Sequence, residues 1–313
     1  MNKITVIGSG NVGSTIAYTL TVMGIASEIV MIDVNEEKSL GEALDIRQGI
    51  PFCSPANIYA GTYSDAKDSD IVVITSGMAR KPGQTRLDLA QTNVDIIKSI
   101  ADKIVPVAPE AKYVIVSNPV DILTYVFLKH TGLPQERVIG SGTILDTARL
   151  RARIAEYYSI NQKNVHAYVL GEHGDSSFVP WSLANISNVP IENFKDAILT
   201  KDAYPEFVLS EVEDYMRKSG ARIIQRKGAT FYAVSISVCH ICKCILSGID
   251  TTLTVSTMLN GEYGIDDVCL SLLSVVGSKG AHSKIMLPLN DEEIKALHNS
   301  ANVLKDLIKS LNI

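Results

Sequence analysis

The sequence has no hydrophobic run long enough to span a bilayer. Its most apolar long stretch, Ser235 to Ile249, is broken by His240 and Lys243, whereas a spanning helix needs roughly 20 predominantly apolar residues. A basic stretch leading into an apolar run and a small-residue cleavage site is also missing near the start, where Lys3 to Ile7 already has the pattern of a strand. These absences lead us to expect a cytoplasmic protein that does not engage a membrane. Positive charge is not in excess either. With 29 Lys and Arg against 34 Asp and Glu, the net charge is -5, so the surface as a whole does not attract phosphate backbones and nucleic acid is not an expected partner. The five cysteines are odd in number, and Cys239, Cys242 and Cys244 crowd one segment that reads as helical, unlike a disulfide framework. No second Cys or His pair stands at ligand spacing beside His240, so no metal site is expected and the thiols read as buried helix residues. Low-complexity segments and internal repeats are absent.

What is present is the composition of a folded globular chain. The 313 residues, 46% hydrophobic and 20% charged, suffice for about two domains, each with its own core. Short apolar runs rich in Val and Ile occur at Lys3 to Ile7, Glu28 to Asp33, Ile71 to Thr75, Tyr113 to Asn118 and Arg137 to Gly140. Continuous rather than alternating apolar residues are the mark of parallel strands covered on both faces. Helical patterns at Val12 to Met23 and Arg86 to Lys103 lie between them, and this alternation predicts an α/β, doubly wound parallel sheet of the Rossmann type. After Gly140 the rhythm changes to long helices, Asp146 to Tyr158 and Phe207 to Lys227, with strand-like Val165 to Leu170 and Val268 to Val276 and a closing amphipathic helix, Asp291 to Leu311. We therefore expect a dinucleotide-binding domain over residues 1–141 and a mixed α+β catalytic, substrate-binding domain over 142–313.

In doubly wound sheets, ligands bind beyond the carboxyl ends of the strands. Gly8, Asp33, Gly77 and Asn118 each stand at or just past such an end. Gly8-Ser9-Gly10-Asn11-Val12-Gly13 follows the first strand and opens a helix, which is the context that gives the GxGxxG fingerprint its meaning. Its glycines allow a tight turn, close approach of backbone to pyrophosphate, and close helix packing, while helix N-terminal amides meet the phosphates. Asp33 ends the second strand 20 residues beyond Gly13, where its carboxylate accepts hydrogen bonds from ribose hydroxyls and repels a 2'-phosphate. The cofactor predicted is NAD rather than NADP.

Four further segments carry residues suited to acid/base chemistry. His173 lies in Gly171-Glu172-His173-Gly174-Asp175-Ser176, directly after an apolar run; Asp146 and Arg149 are three apart on one helical face; Asn118-Pro119-Val120-Asp121 follows a strand; and Arg80 to Arg86 forms a basic loop containing Pro82 and Gly83. Taken together these motifs resemble the L-lactate/malate dehydrogenase family over essentially the whole chain. The resemblance implies that His173 is the proton donor and acceptor, Asp146 its orienting carboxylate, Arg149 the clamp on the substrate carboxylate, Arg86 the group polarising the carbonyl, and Asn118 a further partner of the substrate oxygen. Those roles make physical sense. Reduction of a 2-oxo acid needs a charged imidazole beside the oxygen, which Asp146 favours. A guanidinium fork matches a carboxylate in two places, and a cation near the oxygen stabilises charge as it develops. The Arg80 to Arg86 segment is expected to be a lid over the substrate.

The choice of substrate divides the motifs. Arg80 stands where the family's malate enzymes carry Arg and its lactate enzymes usually carry Gln, and it would pair with the second carboxylate of oxaloacetate. The Glu172-His173 motif, Lys227-Gly228-Ala229-Thr230 and the overall wording resemble bacterial lactate enzymes, with Thr230 at the lactate-type position. The expectation is a lactate/pyruvate enzyme with oxaloacetate activity, the malate enzyme being the alternative. Arg151 and His166 match positions at which bacterial members bind fructose 1,6-bisphosphate between subunits, which implies an allosteric homotetramer. Two other classes are less consistent with the residues. Tyr125 and Lys129 have the spacing of a short-chain dehydrogenase but the glycine pattern differs, and a non-catalytic NAD-binding redox sensor would not need His173, Asp146, Arg149 and Arg86 together.

Overall fold

In the computed structural model, residues 2–78, 86–198, 204 and 206–313 are described. The first half runs β1 (Lys3–Ile7), α1 (Asn11–Val22), β2 (Glu28–Ile32), α2 (Glu36–Gln48), β3 (Asn57–Ala60), β4 (Ile71–Ile74), α3 (Arg86–Ile104), β5 (Lys112–Ile115), α4 (Val120–Thr131) and β6 (Val138–Gly140). These six strands pair in parallel in the order β6-β5-β4-β1-β2-β3. Successive side chains of a strand point to opposite faces, and both faces are covered. Val72 and Ile74 join a core with Val94, Ile97, Ile122 and Phe127 from α3 and α4. Ile71 and Val73 join another with Ile16 and Leu20 of α1. That double coverage is why the strands read as unbroken Val and Ile, each buried side chain contributing roughly 1.5–3 kcal/mol.

The register places the crevice. Ile7 pairs with Ile32 and with Ile74, and Ile74 with Ile115, so four strands end level. Gly8, Asp33, the Thr75 to Met78 segment and Asn118 emerge side by side. This is the predicted Rossmann arrangement.

The second half adds α5 (Ile144–Tyr157), β7 (Val165–His166), β8 (Asn185–Ile186), β9 (Val189–Pro190), α6 (Ile191–Ala197), α7 (Leu209–Lys227), α8 (Tyr232–Ser247), β10 (Thr251–Asn260), β11 (Asp266–Gly277), β12 (Gly280–Lys284) and α9 (Asp291–Lys309). β7, β8 and β9 form a small antiparallel sheet. β10 lies antiparallel to β6, Ser256 opposite Gly140, so β10, β11 and β12 extend the parallel sheet to nine strands among the described residues. Buried Val238, Ile241 and Ile245 of α8 pack into the same core as α1.

Two differences from the sequence reading have clear causes. The predicted strand Val165 to Leu170 keeps ladder pairing only at Val165–His166 and at an isolated bridge from Leu170 to Phe178. Between them, side chains of α5 and its N-cap take the backbone groups. Thr147 Oγ1 accepts from the Val169 amide at 2.9 Å, the Thr143 hydroxyl donates to the Val169 carbonyl, and Arg151 Nε donates to the Ala167 carbonyl at 2.9 Å. The second difference is β10, whose Thr251-Thr252-Leu253-Thr254-Val255-Ser256-Thr257 alternates instead of running apolar. The strand is central, so Thr254, Ser256 and Thr257 are buried despite their hydroxyls.

Candidate active site

The glycine turn after β1 separates two kinds of constraint. Gly8 has φ +103°, and a Cβ on Gly13 would stand 1.7 Å from the Gly8 carbonyl oxygen, so the chain's own packing requires both. Gly10 differs. Its φ is -74° and a Cβ there would meet no atom within 4 Å. Gly10 caps α1 without a side chain, leaving the first-turn amides of Asn11, Val12 and Gly13 without intrahelical acceptors. A bare backbone beside open amides is what close approach of a pyrophosphate requires. Asp33 Oδ2 accepts from the Ser9 amide at 2.6 Å and Oδ1 from the Asn35 amide at 2.8 Å. Each oxygen keeps a lone pair for ribose hydroxyls, so the residues fit NAD.

These observations predict opposite outcomes for neighbouring alanines. Gly10→Ala should leave the melting temperature unchanged and weaken NADH binding by about tenfold or more, the loss of one good contact. Gly13→Ala should compromise folding itself. Thermal unfolding and fluorescence titration with NADH check both, and unchanged NADH affinity in Gly10→Ala would count against this placement of the pyrophosphate.

The lips of the crevice are tied by a residue that motif reading passed over. Asn93, buried on α3, accepts from the Met78 amide through Oδ1 at 2.8 Å and donates through Nδ2 to the Asn118 carbonyl at 2.8 Å. Gly77 passes over it, a Cβ there standing 3.4 Å from Asn93 Oδ1. Asn118 itself is exposed at the end of β5.

His173 reaches this crevice from the second half. Asp121, in the first turn of α4 just past Asn118, accepts from the His173 amide through Oδ2 at 2.7 Å. Asp146, in the first turn of α5 past β6, holds the ring, its Oδ2 lying 2.6 Å from His173 Nδ1. The Asp146 side chain is 9% exposed and that of His173 28%, so the imidazole's far edge is open while its carboxylate is sealed. The other Asp146 oxygen accepts from Arg149 Nη1 at 2.9 Å. One carboxylate therefore joins His173 and Arg149.

The electrostatics follow from that geometry. Burial pushes the Asp146 carboxyl up, but the charges and hydrogen bonds of His173 and Arg149 outweigh it and hold it below the usual range. Burial pulls His173 down, yet Asp146, with a contribution from Asp121, outweighs both burial and Arg149 and leaves the imidazole above its ordinary value. Asp121 is pushed up to about 6 by complete burial, only partly offset by its hydrogen bonding and by His173. Its Oδ1 is buried without a hydrogen-bond partner. In the sequence Asp121 stands only as the last residue of the Asn118 to Asp121 motif, with nothing beside it to mark the amide it holds.

Other predicted residues are placed as follows. Thr230 lies half-buried in the short connection between α7 and α8. The Arg151 guanidinium stacks over Tyr168 at 5.1 Å, and its contact with the Ala167 carbonyl brings it alongside β7, on which His166 is exposed. Arg80, the loop predicted to be a lid and the side chain of Arg86 lie outside the described residues; Arg86 opens α3.

Comparison with known proteins gives a consistent picture. Residues 2–140 match the lactate/malate dehydrogenase NAD binding domain, and residues 143–312 match the lactate/malate dehydrogenase alpha/beta C-terminal domain. The chain is 49% identical over 313 residues to an L-lactate dehydrogenase of Thermoanaerobacter sp. (strain X514), covering 100% of both. It is 44% identical over 310 residues to L-lactate dehydrogenase 1 of Clostridium acetobutylicum, covering 99% of this chain and 98% of that one. Among solved structures, the minor L-lactate dehydrogenase of Enterococcus mundtii in a ligands-bound form superposes with a TM-score of 0.94 at 38% identity, covering 100% and 99%. A lactate dehydrogenase from a Medee basin deep-sea metagenome library gives 0.93 at 39%, covering 99% and 98%.

Proposed function

This chain belongs to the lactate/malate dehydrogenase family, and from that membership we propose that it is an NAD-dependent L-lactate dehydrogenase that interconverts pyruvate and L-lactate and also accepts oxaloacetate. The observation that carries the reading is the single buried carboxylate of Asp146, shared by His173 and Arg149 at the mouth of the dinucleotide crevice. When bound, NADH supplies the hydride that arrives at C2 of the 2-oxo acid. His173 gives its Nε2 proton to the C2 oxygen, so that one hydride and one proton make the hydroxyl. Asp146 keeps Nδ1 protonated and the ring aimed. Arg149 spends one nitrogen on Asp146 and presents its remaining donors to the substrate carboxylate, fixing which face of C2 meets the nicotinamide. Asn118 emerges at the same crevice to meet the oxygen, and by likeness to the family Arg86 would polarise that oxygen and Thr230 would bound the side-chain pocket. The enzyme acts in the cytoplasm, in glycolysis.

Oxaloacetate activity rests on Arg80. Its guanidinium would pair with the second carboxylate, whereas a pyruvate methyl leaves the charge without a partner. Steady-state assays with both substrates test this: Arg80→Gln should cut kcat/KM for oxaloacetate by about a hundredfold, near 2.7 kcal/mol, and spare pyruvate. Negligible oxaloacetate turnover in the wild type, or turnover undiminished by the change, would remove the role of Arg80. Pyruvate turnover far below that of oxaloacetate would instead make the chain a malate dehydrogenase. NADH binding with no turnover of either substrate would favour the sensor.

We infer assembly as a homotetramer from the family resemblance; contact with at least one further copy is supported by an open, mostly apolar cleft of about 500 Å³ lined by Met23, Ile144, Ala148, Arg151 and Ile236. Two of these, Met23 and Ile236, are large exposed hydrophobics, the kind of patch that a second copy would cover. Arg151, which donates to the carbonyl of Ala167 next in the chain to His166, and His166 itself are the groups on which fructose 1,6-bisphosphate would bridge subunits. Adding the bisphosphate to the same assays should lower the apparent KM for pyruvate; no change would eliminate this effector.

A further inference from the structure

The turn that carries His173 is held mainly by side chains from distant elements. The Leu170 and Gly171 bridges end just before it, to Phe178 and Ser271. Beyond them the next two amides each find a side-chain acceptor on a different helix: His173 N–H donates to Asp121 of α4, and Glu172 N–H donates to Ser300 Oγ of α9 at 2.7 Å. Ser300 is fully buried, and the approach is close. Gly171 has φ +89°, and a Cβ there would stand 2.6 Å from Ser300 Oγ.

The remaining hydrogen bonds close a ring with only one consistent direction. Ser176 Oγ lies 3.1 Å from Ser300 Oγ, and the Ser176 hydroxyl donates to Glu172 Oε2, which also accepts from the Ser176 amide at 3.3 Å. The Ser176 hydroxyl proton is therefore spent on Glu172. The Ser300 hydroxyl proton must then point to Ser176, leaving the Ser300 oxygen to receive the Glu172 amide. Backbone, serine, serine and carboxylate satisfy one another in a circuit spanning the histidine turn. The Glu172 carboxyl folds under that turn so tightly that a Cβ on Gly174 would stand 2.6 Å from its carbon.

We propose that Ser300, fully buried on the C-terminal helix, is a positioning residue for His173, its hydroxyl fixing the tilt of the histidine turn through Glu172 and Ser176. Breaking the ring frees the turn on one side while Asp121 still holds the other, and the His173 ring swings away from its best line to Asp146. The inference rests on the reading of His173 as the proton donor. The groups facing the imidazole are Asp146 and Arg149 from α5 and Asp121 from α4, with Glu172 beside it in its own turn. Weaker contact with Asp146 therefore lowers the imidazole's proton affinity.

The test uses the whole 313-residue chain with Ser300→Ala, Ser176→Ala and, as a control, Leu304→Ala, which opens the α9 core without touching the turn. NMR titration of the His173 ring, assigned by its loss in His173→Asn, reads the positioning directly, without turnover. Both serine variants should move that titration down by about half a pH unit or more and lower kcat/KM for pyruvate by about tenfold. NADH affinity should stay within about twofold. Leu304→Ala should lower the melting temperature and leave the titration in place. If Ser300→Ala does not fold, Ser176→Ala decides alone. Folded serine variants that titrate and turn over like the wild type would overturn the proposal. A wild type that titrates as described but reduces no 2-oxo acid would instead overturn the reading of function.

Discussion

His173→Asn is expected to lower pyruvate reduction by about a thousandfold, in the middle of the range for loss of a positioned acid/base group, while NADH binds as before. The separation follows from the structure. The glycine turn and Asp33 belong to β1, α1 and β2, and their hydrogen bonds involve no residue of the 171–176 turn. Asparagine keeps the amide that donates to Asp121, because that bond is made by the backbone. What it lacks is a titrating ring. On the proposed reading the same ring sets the pH profile. Burial acts to lower the imidazole's proton affinity, but Asp146 and Asp121 prevail and hold it above its ordinary value. Reduction needs the charged ring, so wild-type kcat/KM for pyruvate should be level at low pH and fall only as pH rises through that raised value. Lactate oxidation needs the neutral ring and should show the opposite limb at the same position. Initial-rate profiles in both directions check this, and a reduction limb lying below the ordinary histidine range would contradict the assigned partnership with Asp146.

Much of this site was legible in the sequence because its signals are local. The fingerprint, Asp33 at the end of the next strand, and the Asp146 to Arg149 spacing each lie within one strand or helix, and the parallel strands announced themselves as Val and Ile runs. The unread residues act across long separations and through backbone groups. Asp121 holds an amide 52 residues away and Ser300 one 128 residues away. An amide carries no side-chain identity, so nothing near His173 signals that a serine in the last helix will meet it. β3 and α2 escaped for a different reason. The first is four residues long at the sheet edge, and the second has only Ser39, Ala43 and Ile46 buried, too few to make an apolar stripe. Its start was nonetheless encoded, Asn35 accepting from the Lys38 amide as the N-cap.

Arg149→Lys should cost about as much as loss of His173, and for a reason that distinguishes charge from shape. In the structure the guanidinium already has one nitrogen engaged with Asp146 at 2.9 Å, and its side chain is only 15% exposed. On the proposed reading it holds a carboxylate of the protein and a carboxylate of the substrate at once, which a planar fork with five donors does and a single ammonium does not. Removing one member of such a desolvated pair costs roughly 2–5 kcal/mol. We expect kcat/KM for pyruvate to fall by about a thousandfold, close to 4 kcal/mol, with NADH affinity unchanged. The pH profile then separates loss of charge from loss of shape. The Arg149 charge opposes protonation of His173, so Arg149→Gln should move the high-pH limb of reduction upward, whereas Arg149→Lys keeps a positive charge beside Asp146 and should leave the limb where it is. If the lysine variant reduced pyruvate as well as the wild type, the substrate carboxylate would have to be gripped elsewhere, and the pairing of Arg149 with Asp146 would serve only to hold the histidine.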